Sequence, residues 1–252
     1  MSAETAKLPP PFRLITRRAI GSTNDEAKRL ARDGAGEGMI VWAMTQTAGR
    51  GRRGRLWVSP PGNLYFSLVL RPQCRVADAA QLGFVAAVAL TVAIGELAPN
   101  IELRCKWPND LLANGKKISG ILLETEMIAG DRPDFVVIGI GVNLAASPRD
   151  VAYPATSLAD EGVTGVVPEV ALTGFVEHFA EWLALWREDG FDPIREAWLE
   201  QAAGLGEPTQ VRLEHETLAG RFVDLDNDGA LLLGMPSGNR RIAAGEIFQV
   251  TT

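Results

Sequence analysis

The residues best able to do chemistry lie in one short segment, residues 49–55, which contains four arginines and three glycines. Each guanidinium presents paired N–H donors that suit phosphate and carboxylate groups. The like charges repel one another and the glycines add conformational freedom, so the segment is expected to stay mobile until a concentrated anion binds. The Walker pattern of a P-loop is absent. The segment therefore predicts an anion-binding loop; the alternative is a solvated basic loop or a non-specific RNA contact.

A second group of polar residues surrounds a predicted β-hairpin. The sequence Lys-Trp-Pro-Asn-Asp occupies residues 106–110, and Lys116 and Lys117 follow the turn Asn114-Gly115. Adjacent residues of a strand point to opposite faces, so only one of the two lysines can face a site on the sheet. This arrangement can place one cation and one anion together. The alternative is a plain hairpin with turn residues and surface lysines.

Two further segments are open to both a structural and a functional interpretation. Gly139 and Gly141 lie on the same face of a predicted strand, where the absence of side chains would let a flat ligand approach the sheet, although a bulge or local twist is an equal alternative. Residues 22–24, Ser-Thr-Asn, precede a predicted helix, and Thr23 with Glu26 fits a capping box.

The composition excludes several classes of protein. With 252 residues, 46% of them hydrophobic, and a net charge of −6, the chain is not a disordered protein. The longest apolar stretch, residues 84–94, is about half of the roughly 20 residues that span a membrane, and the first residues lack the pattern of a signal peptide. Two distant cysteines and two histidines cannot build a familiar transition-metal cluster. We therefore expect a cytoplasmic protein with no membrane span and no fixed metal site.

The elements that position these residues follow from the hydrophobic periodicity. Strands are predicted at residues 12–20, 39–44, 64–70, 101–107, 117–124 and 135–142. Helices are predicted over about ten residues ending at Gly34, at 76–97, at about 168–186 and at about 193–201. After residue 203, five short alternating runs separated by turns, the last at 247–250, indicate a β-barrel of SH3-like size. The pattern predicts an α/β or α+β domain over residues 1–203 and a small β domain over 204–252.

Taken together, these segments resemble the catalytic domain of the biotin protein ligases. The matching stretches are Gly21-Ser22-Thr23-Asn24, residues 46–57, Ser59-Pro60, Asn63-Leu64-Tyr65, and residues 106–110, 117–124 and 138–144. They follow the order and spacing of the family. Asp228-Gly229-Ala230-Leu231 and Gly245-Glu246-Ile247 also match its small C-terminal barrel, so the resemblance covers most of residues 12–250.

The resemblance implies a fold and a reaction. The fold is α+β, a mixed sheet flanked by helices as in class II aminoacyl-tRNA synthetases, with a C-terminal SH3-like β-barrel. The biotin carboxylate attacks the α-phosphate of ATP, with Mg²⁺ present, to give biotinyl-5′-AMP, and a lysine of the biotin carboxyl carrier protein then displaces AMP. No protein nucleophile is needed, so catalysis rests on positioning and charge stabilisation.

The resemblance also implies roles for particular residues. The biotin site would comprise Ser22, Thr23, Asn24, Gln46, Gly49, Arg50, Gly51, Arg52 and Lys117. The ATP or adenylate site would comprise Arg52, Arg55, Trp57, Asn109, Lys117 and Asn143. Arg50, Arg52 and Arg55 would contact the phosphates. Lys117, Arg50 and Asp110 are the predicted catalytic residues, with Lys117 bridging the biotin carboxyl group and the α-phosphate and Asp110 contacting either Mg²⁺ or the incoming lysine.

Some members of the family carry an N-terminal helix-turn-helix domain, and only about eleven residues precede residue 12 here. We therefore expect no sequence-specific DNA binding and no membrane contact. The expected partner is a carrier protein of acetyl-CoA carboxylase or a related carboxylase, and the chain could be a monomer or a homodimer. The alternative functions are a lipoate–protein ligase and a non-catalytic module that binds biotin or nucleic acid.

Overall fold

The computed structural model describes residues 8–149, 151 and 153–249. Its helices are α1 (Thr23–Arg32), α2 (Val76–Ala79), α3 (Leu82–Leu97), α4 (Pro168–Asp189) and α5 (Asp192–Glu200). Its first seven strands are β1 (Arg13–Arg17), β2 (Met39–Ala43), β3 (Leu64–Leu70), β4 (Leu103–Lys106), β5 (Asp110–Ala113), β6 (Lys116–Ala129) and β7 (Arg132–Val142). The remaining strands are β8 (Pro208–Arg212), β9 (Thr217–Leu225), β10 (Leu231–Met235), β11 (Gly238–Ile242) and β12 (Glu246–Gln249).

The first seven strands form one mixed sheet in the order β1-β2-β3-β7-β6-β5-β4, in which β1 and β2 are parallel and the other neighbours are antiparallel. Every residue of β3 is buried, as its uninterrupted apolar run predicts. One face of the sheet packs on α3 and α4, and α1 covers part of the other face through Ala27 and Ala31. The mixed sheet flanked by helices confirms the predicted fold class.

The predicted helix over residues 76–97 is interrupted at Ala80 and Gln81, which separate α2 from α3. The Gln81 side chain is buried at this break, where it donates to Asn227 O and accepts from Trp186 Nε1. By length and composition the segment Val76–Leu97 could cross a membrane, which the eleven-residue stretch in the sequence did not indicate. Most of it lies inside the protein core, which is typical of a core helix.

The last five strands form a separate antiparallel sheet in the order β11-β10-β9-β8-β12. This sheet confirms the predicted small β module; Val250, the end of the last predicted strand, lies outside the described residues. The β module packs on the larger domain through aromatic rings. The ring centroid of Trp198, on α5, lies 5.4 Å from that of Phe84 and 6.4 Å from that of Phe222. The boundary between residues 203 and 204 falls in the turns that join α5 to β8 and stays a prediction.

The hairpin at Asn114-Gly115 is present, and both residues have the positive φ angles, 48° and 77°, that a tight hairpin turn requires. It joins β6 to β5, a four-residue strand that the sequence pattern did not separate from the preceding polar motif. Because β5 pairs antiparallel with β6, Asp110 lies opposite Gly120 and Leu112 lies opposite Lys117, so Asp110 and Lys117 are close neighbours on adjacent strands.

Arg71, just after β3, ties the C-terminal end of α1 to the sheet. Its guanidinium donates to the carbonyl oxygens of Ala31 and Ala35, at 2.7 and 3.0 Å, and to Asp134 Oδ1 at 2.9 Å. Ala31 is buried and Ala35 and Asp134 are half-buried, so water can replace the charged donor only in part. The orientation of α1 relative to the sheet therefore depends on this side chain.

Arg71→Ala is expected to lower the free energy of unfolding by about 2–4 kcal/mol, because several carbonyls lose a charged donor at once. Urea denaturation measures the change. Arg104→Ala is the matched control, since Arg104 is more exposed and pairs with the exposed Glu102, and it should cost less than about 1 kcal/mol. Equal losses in both variants would show that Arg71 has no special role at the end of α1.

Candidate active site

A cleft of about 1,020 Å³ lies at the end of the sheet where the predicted motifs converge. Its walls come from the N-terminus of α1, the arginine-rich loop, the turn before β5, strands β6 and β7, and strand β12 of the C-terminal module. The predicted site residues that line it are Ser22, Thr23, Asn24, Gln46, Arg50, Gly51, Arg52, Arg55, Trp57, Asn109, Asp110 and Lys117. Gly49 and Asn143 lie outside it.

At one end of the cleft, buried hydroxyl and amide groups form a connected network. Thr23 donates its backbone N–H and its hydroxyl to Gln46 Oε1, at 2.8 and 3.1 Å, and Gln46 Nε2 donates to Ser59 Oγ at 3.1 Å. Ser67 Oγ, on β3, donates to Asn24 Oδ1 at 2.5 Å. The network holds the Asn24 and Gln46 amides in fixed orientations, so it can recognise a polar ligand by matched donors and acceptors.

The predicted capping box at Thr23 and Glu26 is wrong. The N-cap of α1 is Ser22, which makes no side-chain capping bond, and the Thr23 hydroxyl points to Gln46 instead. Gln46 lies just beyond β2, which pairs with the parallel strand β1 leading into α1, so it reaches Thr23 from a neighbouring strand. This tertiary partner outcompetes the local cap.

Gly139 and Gly141 face the cleft on β7, but the space beside them is filled by the side chains of Asn24 and Trp57. A β-carbon at Gly139 would overlap the amide of Asn24, and one at Gly141 would lie 2.5 Å from Trp57 Cε2. The two glycines therefore make room for Asn24 and Trp57, not directly for a flat ligand. In the described part of the chain, Trp57 Nε1 is one of three buried polar side-chain atoms without a hydrogen-bond partner.

Lys117 lies at the centre of the cleft and Lys116 lies on the opposite face of β6, as the alternation of the strand predicts. Lys117 Nζ is 2.6 Å from Asp110 Oδ1 and lies 5.5 and 5.1 Å from the ring centroids of Trp57 and Tyr153. Both members of the ion pair are largely buried. The cluster holds a positive charge in one place between two aromatic faces.

The three arginines of the loop that line the cleft differ in their partners. Arg50 pairs with Asp25 and Glu124, and Arg55 pairs with Glu246 at 2.6 Å. Arg52 makes no ion pair among residues 8–149, 151 and 153–249; its nearest acceptors are Asn109 Oδ1 and Gly245 O, both at 3.4 Å. Burial lowers the pKa of Arg52, with a further contribution from the positive charge of Arg53. Of these three arginines, Arg52 is thus the one that would gain most from an incoming anion.

Two of the predicted site residues, Asn143 and Gly49, lie outside the cleft and contact other parts of the protein. Asn143 is buried and donates to Thr156 O at 3.0 Å; it borders a smaller neighbouring cavity of about 330 Å³. Gly49 packs closely against the segment that contains Trp57 and Ser59: a β-carbon at Gly49 would be 2.7 Å from Trp57 O and 2.8 Å from Ser59 Oγ. Gly49 is therefore needed for packing of the loop, and Asn143 braces the segment that follows β7.

Sequence reasoning missed several residues of the cleft wall. Lys106, Tyr153 and, from β12, Glu246, Ile247 and Phe248 all line it. Lys106 is the first residue of the Lys-Trp-Pro-Asn-Asp motif, and burial lowers its pKa. The Gly245-Glu246-Ile247 stretch was matched to the family without a role, because no local pattern says that a barrel strand returns to the cleft. Tyr153 carries no sequence signal of its own.

Glu161 holds the segment that pairs with Lys117. It accepts from Thr156 Oγ1 at 2.6 Å, Asn114 Nδ2 at 2.7 Å and Lys116 Nζ at 3.1 Å. Thr156 in turn donates its backbone N–H to Lys117 O. The hydrogen bonds from Thr156 and Asn114 lower the pKa of Glu161 to about 2, with burial opposing them and Lys116 assisting.

A carboxyl whose pKa is lowered on folding stabilises the fold above its ordinary pKa and loses that contribution as the pH falls towards the folded value. For Glu161 this window runs from its ordinary 4.5 down to about 2. Glu161→Gln is therefore expected to lower the melting temperature at pH 7, with a gap from the parent that narrows as the pH falls below about 4.5. Thermal unfolding followed by circular dichroism at several pH values measures the gap. A gap that stays constant down to pH 3 would contradict the assignment.

The chain belongs to the Biotin/lipoate A/B protein ligase family, whose model matches residues 8–200. A second model, the Biotin protein ligase C terminal domain, matches residues 204–249, which cover the five-stranded sheet. The two models together cover the mixed sheet and the β module that follows it, and the cleft is lined by residues of both.

The relatives place the chain more narrowly within this family. It is 46% identical, over 90% of its length and 96% of the relative's, to the biotin–[acetyl-CoA-carboxylase] ligase of Paracoccus denitrificans. Among solved structures, it resembles the biotin protein ligase of Aquifex aeolicus in complex with biotin and ATP, with a TM-score of 0.81 and 28% identity over 94% of this chain and 99% of that one. The Leishmania major biotin protein ligase in complex with biotinyl-5-AMP has a TM-score of 0.66 and 25% identity over 94% and 100%.

Proposed function

We propose that this protein is a biotin–protein ligase, which uses ATP to attach biotin to one lysine of a biotin carboxyl carrier protein through biotinyl-5′-AMP. The observation that carries the proposal is a single cleft in which a network of fixed amide and hydroxyl groups lies beside a buried lysine and an arginine-rich loop. The network suits a neutral polar head group, and the cations suit a carboxylate and phosphates. The similarity to ligases solved with biotin, ATP and biotinyl-5-AMP supports the same assignment.

The head group of biotin carries a ureido unit with one carbonyl acceptor and two N–H donors. Hydroxyls can serve both kinds of group, and the amides of Asn24 and Gln46 have orientations fixed by Ser67 and Thr23. We assign the ureido ring to the Ser22, Thr23, Asn24 and Gln46 end of the cleft, with Gly49 and Gly51 shaping the loop that closes over it. The biotin carboxylate then points along the cleft towards Lys117.

In the first step, a carboxylate oxygen of biotin forms a bond to the α-phosphorus of ATP and the bond to pyrophosphate breaks. We assign Lys117 to the point where the two groups would meet, so its charge would oppose the negative charge that develops on the α-phosphate. Arg52 and Arg55 are assigned to the phosphates, and Trp57, Asn109 and Asn143 to the adenylate side. Asn143 would act through the segment it braces, since it lies behind the cleft.

In the second step, the ε-amine of the acceptor lysine attacks the carbonyl carbon of the mixed anhydride, AMP leaves with the bonding electrons, and the amine loses a proton. Asp110 is the carboxylate that pairs with Lys117 at 2.6 Å. We assign it to the approach of the acceptor amine, because binding of a phosphate near Lys117 would weaken the ion pair that now occupies Asp110. The protein supplies position and charge; it contributes no nucleophile.

The carboxylates that line the described cleft are Asp110 and Glu246, each paired at 2.6 Å with a cation, Lys117 and Arg55. Nowhere in the described chain do three His, Cys, Asp or Glu side chains come together as metal ligands. These donors do not fit a prebuilt Mg²⁺ site. We propose that Mg²⁺ arrives on the phosphates of ATP, and none of the residue roles above depends on it.

The proposed acceptor is the biotin carboxyl carrier protein of acetyl-CoA carboxylase or a related carboxylase, and the proposed location is the cytoplasm, where the carrier and ATP would be available. Lack of specific DNA binding, lack of membrane contact and a monomeric or homodimeric state stay predictions.

Exchange of labelled pyrophosphate into ATP tests the proposal directly. We expect exchange that requires biotin and Mg²⁺ and that lipoate does not support. Exchange with lipoate alone would make the protein a lipoate ligase. Binding of biotin without any exchange would leave a non-catalytic biotin-binding protein. Retention of RNA or DNA at physiological salt, with neither exchange nor biotin binding, would support a nucleic-acid-binding module.

A further inference from the structure

Arg50 is bound by carboxylates from two different elements at the rim of the cleft. Its Nη1 and Nη2 donate to the two oxygens of Asp25 on α1, at 2.8 and 2.7 Å, and Nη2 also donates to Glu124 on β6 at 2.9 Å. A third contact, to Ser22 Oγ, measures 3.2 Å. We call Arg50, Asp25 and Glu124 the carboxylate clamp.

The charges around the clamp are already balanced. Lys28 Nζ lies 3.0 Å from Glu124 and 3.4 Å from Asp25, so two cations face two anions. The clamp raises the pKa of Arg50 and the Arg50 hydrogen bond lowers that of Asp25. A phosphate at Arg50 would have to displace two carboxylates and would then face them at short range, which is unfavourable. Arg52, by contrast, has no carboxylate partner among the described residues.

Glu124 also controls the head-group end of the cleft. The carboxylate that binds Arg50 accepts from Asn24 Nδ2 at 2.7 Å, and this contact fixes which end of the Asn24 amide faces Ser67. Burial acts to raise the pKa of Glu124, but the hydrogen bonds from Asn24, Lys28 and Arg50 outweigh it and the pKa lies below its ordinary value. Glu124 is therefore charged at neutral pH and serves both the loop and the pocket.

We infer that Glu124 is a positioning residue of the biotin site: with Asp25 it anchors the loop through Arg50, and it sets the Asn24 amide with the same carboxylate. Arg50, held by two carboxylates, is on this basis an anchor and not a ligand of the phosphates. That task is left to Arg52, which has no carboxylate partner among the described residues, and to the more exposed Arg55, which has one. The inference rests on the proposed function for the identity of the ligand. It makes the fixed end of the loop part of the biotin pocket, so occupancy of the pocket and order of the loop are coupled.

The test compares Glu124→Gln, Arg50→Ala and the double variant. Each single change is expected to weaken biotin binding about tenfold, with the KM for ATP changed less than about threefold, and the double variant should be no weaker than Arg50→Ala alone because the two residues act as one unit. Titration calorimetry gives the biotin affinity, and pyrophosphate exchange gives the KM for ATP.

Glu126→Gln is the matched control. Glu126 lies two residues along β6 and also pairs with α1, through Arg32 at 2.6 Å, but it contacts neither Arg50 nor Asn24. It should bind biotin as the parent does. An equal loss of biotin affinity in Glu126→Gln would show that Glu124 acts only as one of several ion pairs that join β6 to α1, and would overturn its role as a positioning residue. A large rise in the KM for ATP in Arg50→Ala, with biotin affinity unchanged, would make Arg50 a phosphate ligand and overturn the inference, as would losses that multiply in the double variant.

Hydrogen exchange of the ligand-free protein separates this inference from the proposed function. If Glu124 anchors the loop, amide exchange at residues 49–51 should rise about tenfold in Glu124→Gln and stay unchanged in Glu126→Gln, whichever ligand the cleft takes. Equal exchange in both variants and the parent would refute the anchor. If exchange rises in Glu124→Gln as expected but the parent protein does not bind biotin, the proposed ligand is refuted and the anchor role of Glu124 still stands.

Discussion

Lys117→Ala is expected to lower the rate of biotin-dependent pyrophosphate exchange about 100- to 1,000-fold, the usual effect of removing one charge-stabilising donor from a reaction centre. Lys117 is the cation at the middle of the cleft, held within 2.6 Å of Asp110 and between the rings of Trp57 and Tyr153. In the proposed mechanism, its charge would oppose negative charge that appears only as the carboxylate attacks the phosphate. Biotin affinity, measured by calorimetry, should therefore fall much less than the rate.

Lys116→Ala is the control for this prediction. The two lysines are neighbours of the same type, but Lys116 lies on the other face of β6 and pairs with Glu161 at 3.1 Å. Its loss should leave the rate within about a factor of three of the parent, as for a surface ion pair. If Lys117→Ala reduced the rate and the affinity by the same factor, Lys117 would bind ground state and transition state equally and would not be catalytic.

The ion pair adds a second consequence. Removing Lys117 leaves Asp110 as an unpaired negative charge beside the phosphates, so part of the loss would come from repulsion. Asp110→Asn in the Lys117→Ala background removes that charge and should recover about tenfold of the rate, if repulsion near the reacting centre is worth roughly 1.4 kcal/mol. The remaining deficit then measures what the lysine itself contributes.

The elements that the sequence predicts well are those decided by local patterns. The apolar run at Leu64–Leu70 is a central strand because both its faces are buried, and Asn114-Gly115 is a hairpin turn because few other residue pairs adopt two positive φ angles. Alternation along β6 separates Lys117 from Lys116. Each of these follows from a few neighbouring residues and needs no knowledge of the rest of the fold.

The errors have the opposite origin. Thr23 was expected to cap its own helix, and it binds Gln46 because a parallel strand brings that amide to it. The sequence leaves open whether a ligand or a local bulge requires Gly139 and Gly141, and in the structure the space beside them holds Asn24 and Trp57. Each case is decided by a partner 20 or more residues away in the chain, which no short window of sequence reveals.

The arginine loop shows the same limit within one motif. The sequence presents Arg50, Arg52 and Arg55 as equivalent anion ligands, yet Arg50 and Arg55 find carboxylates on other elements and Arg52 does not. Glu246 reaches the cleft from the C-terminal module, more than 190 residues away from Arg55 in the chain. The composition of the loop predicts that it binds anions. Only the tertiary structure shows which of its arginines are already paired with carboxylates and which is not.

Gly139→Ala is expected to weaken biotin binding about 10- to 100-fold, the cost of losing one or two buried hydrogen bonds of a polar site. Gly139 lies in the middle of β7, paired with Ser67 and Leu122, and an added β-carbon would overlap the Asn24 amide, 2.8 Å from its Cγ. Asn24 cannot stay in contact with both Ser67 and Glu124 once that space is filled. The Asn24 amide, which we assign to the biotin head group, would be displaced while the strand itself remains in register.

Gly36→Ala is the matched control, because Gly36 lies in the connection between α1 and β2 and a β-carbon there meets nothing within 4 Å. Calorimetry gives the affinities and urea denaturation the stabilities; Gly139→Ala should lose about 1–3 kcal/mol by overpacking. Adding Asn24→Ala removes the overlap, so the double variant should recover stability and bind biotin no more weakly than Asn24→Ala alone. If the two losses of affinity multiplied instead, Gly139 would act on the ligand directly, and the flat-ligand interpretation of the glycine pair would be the correct one.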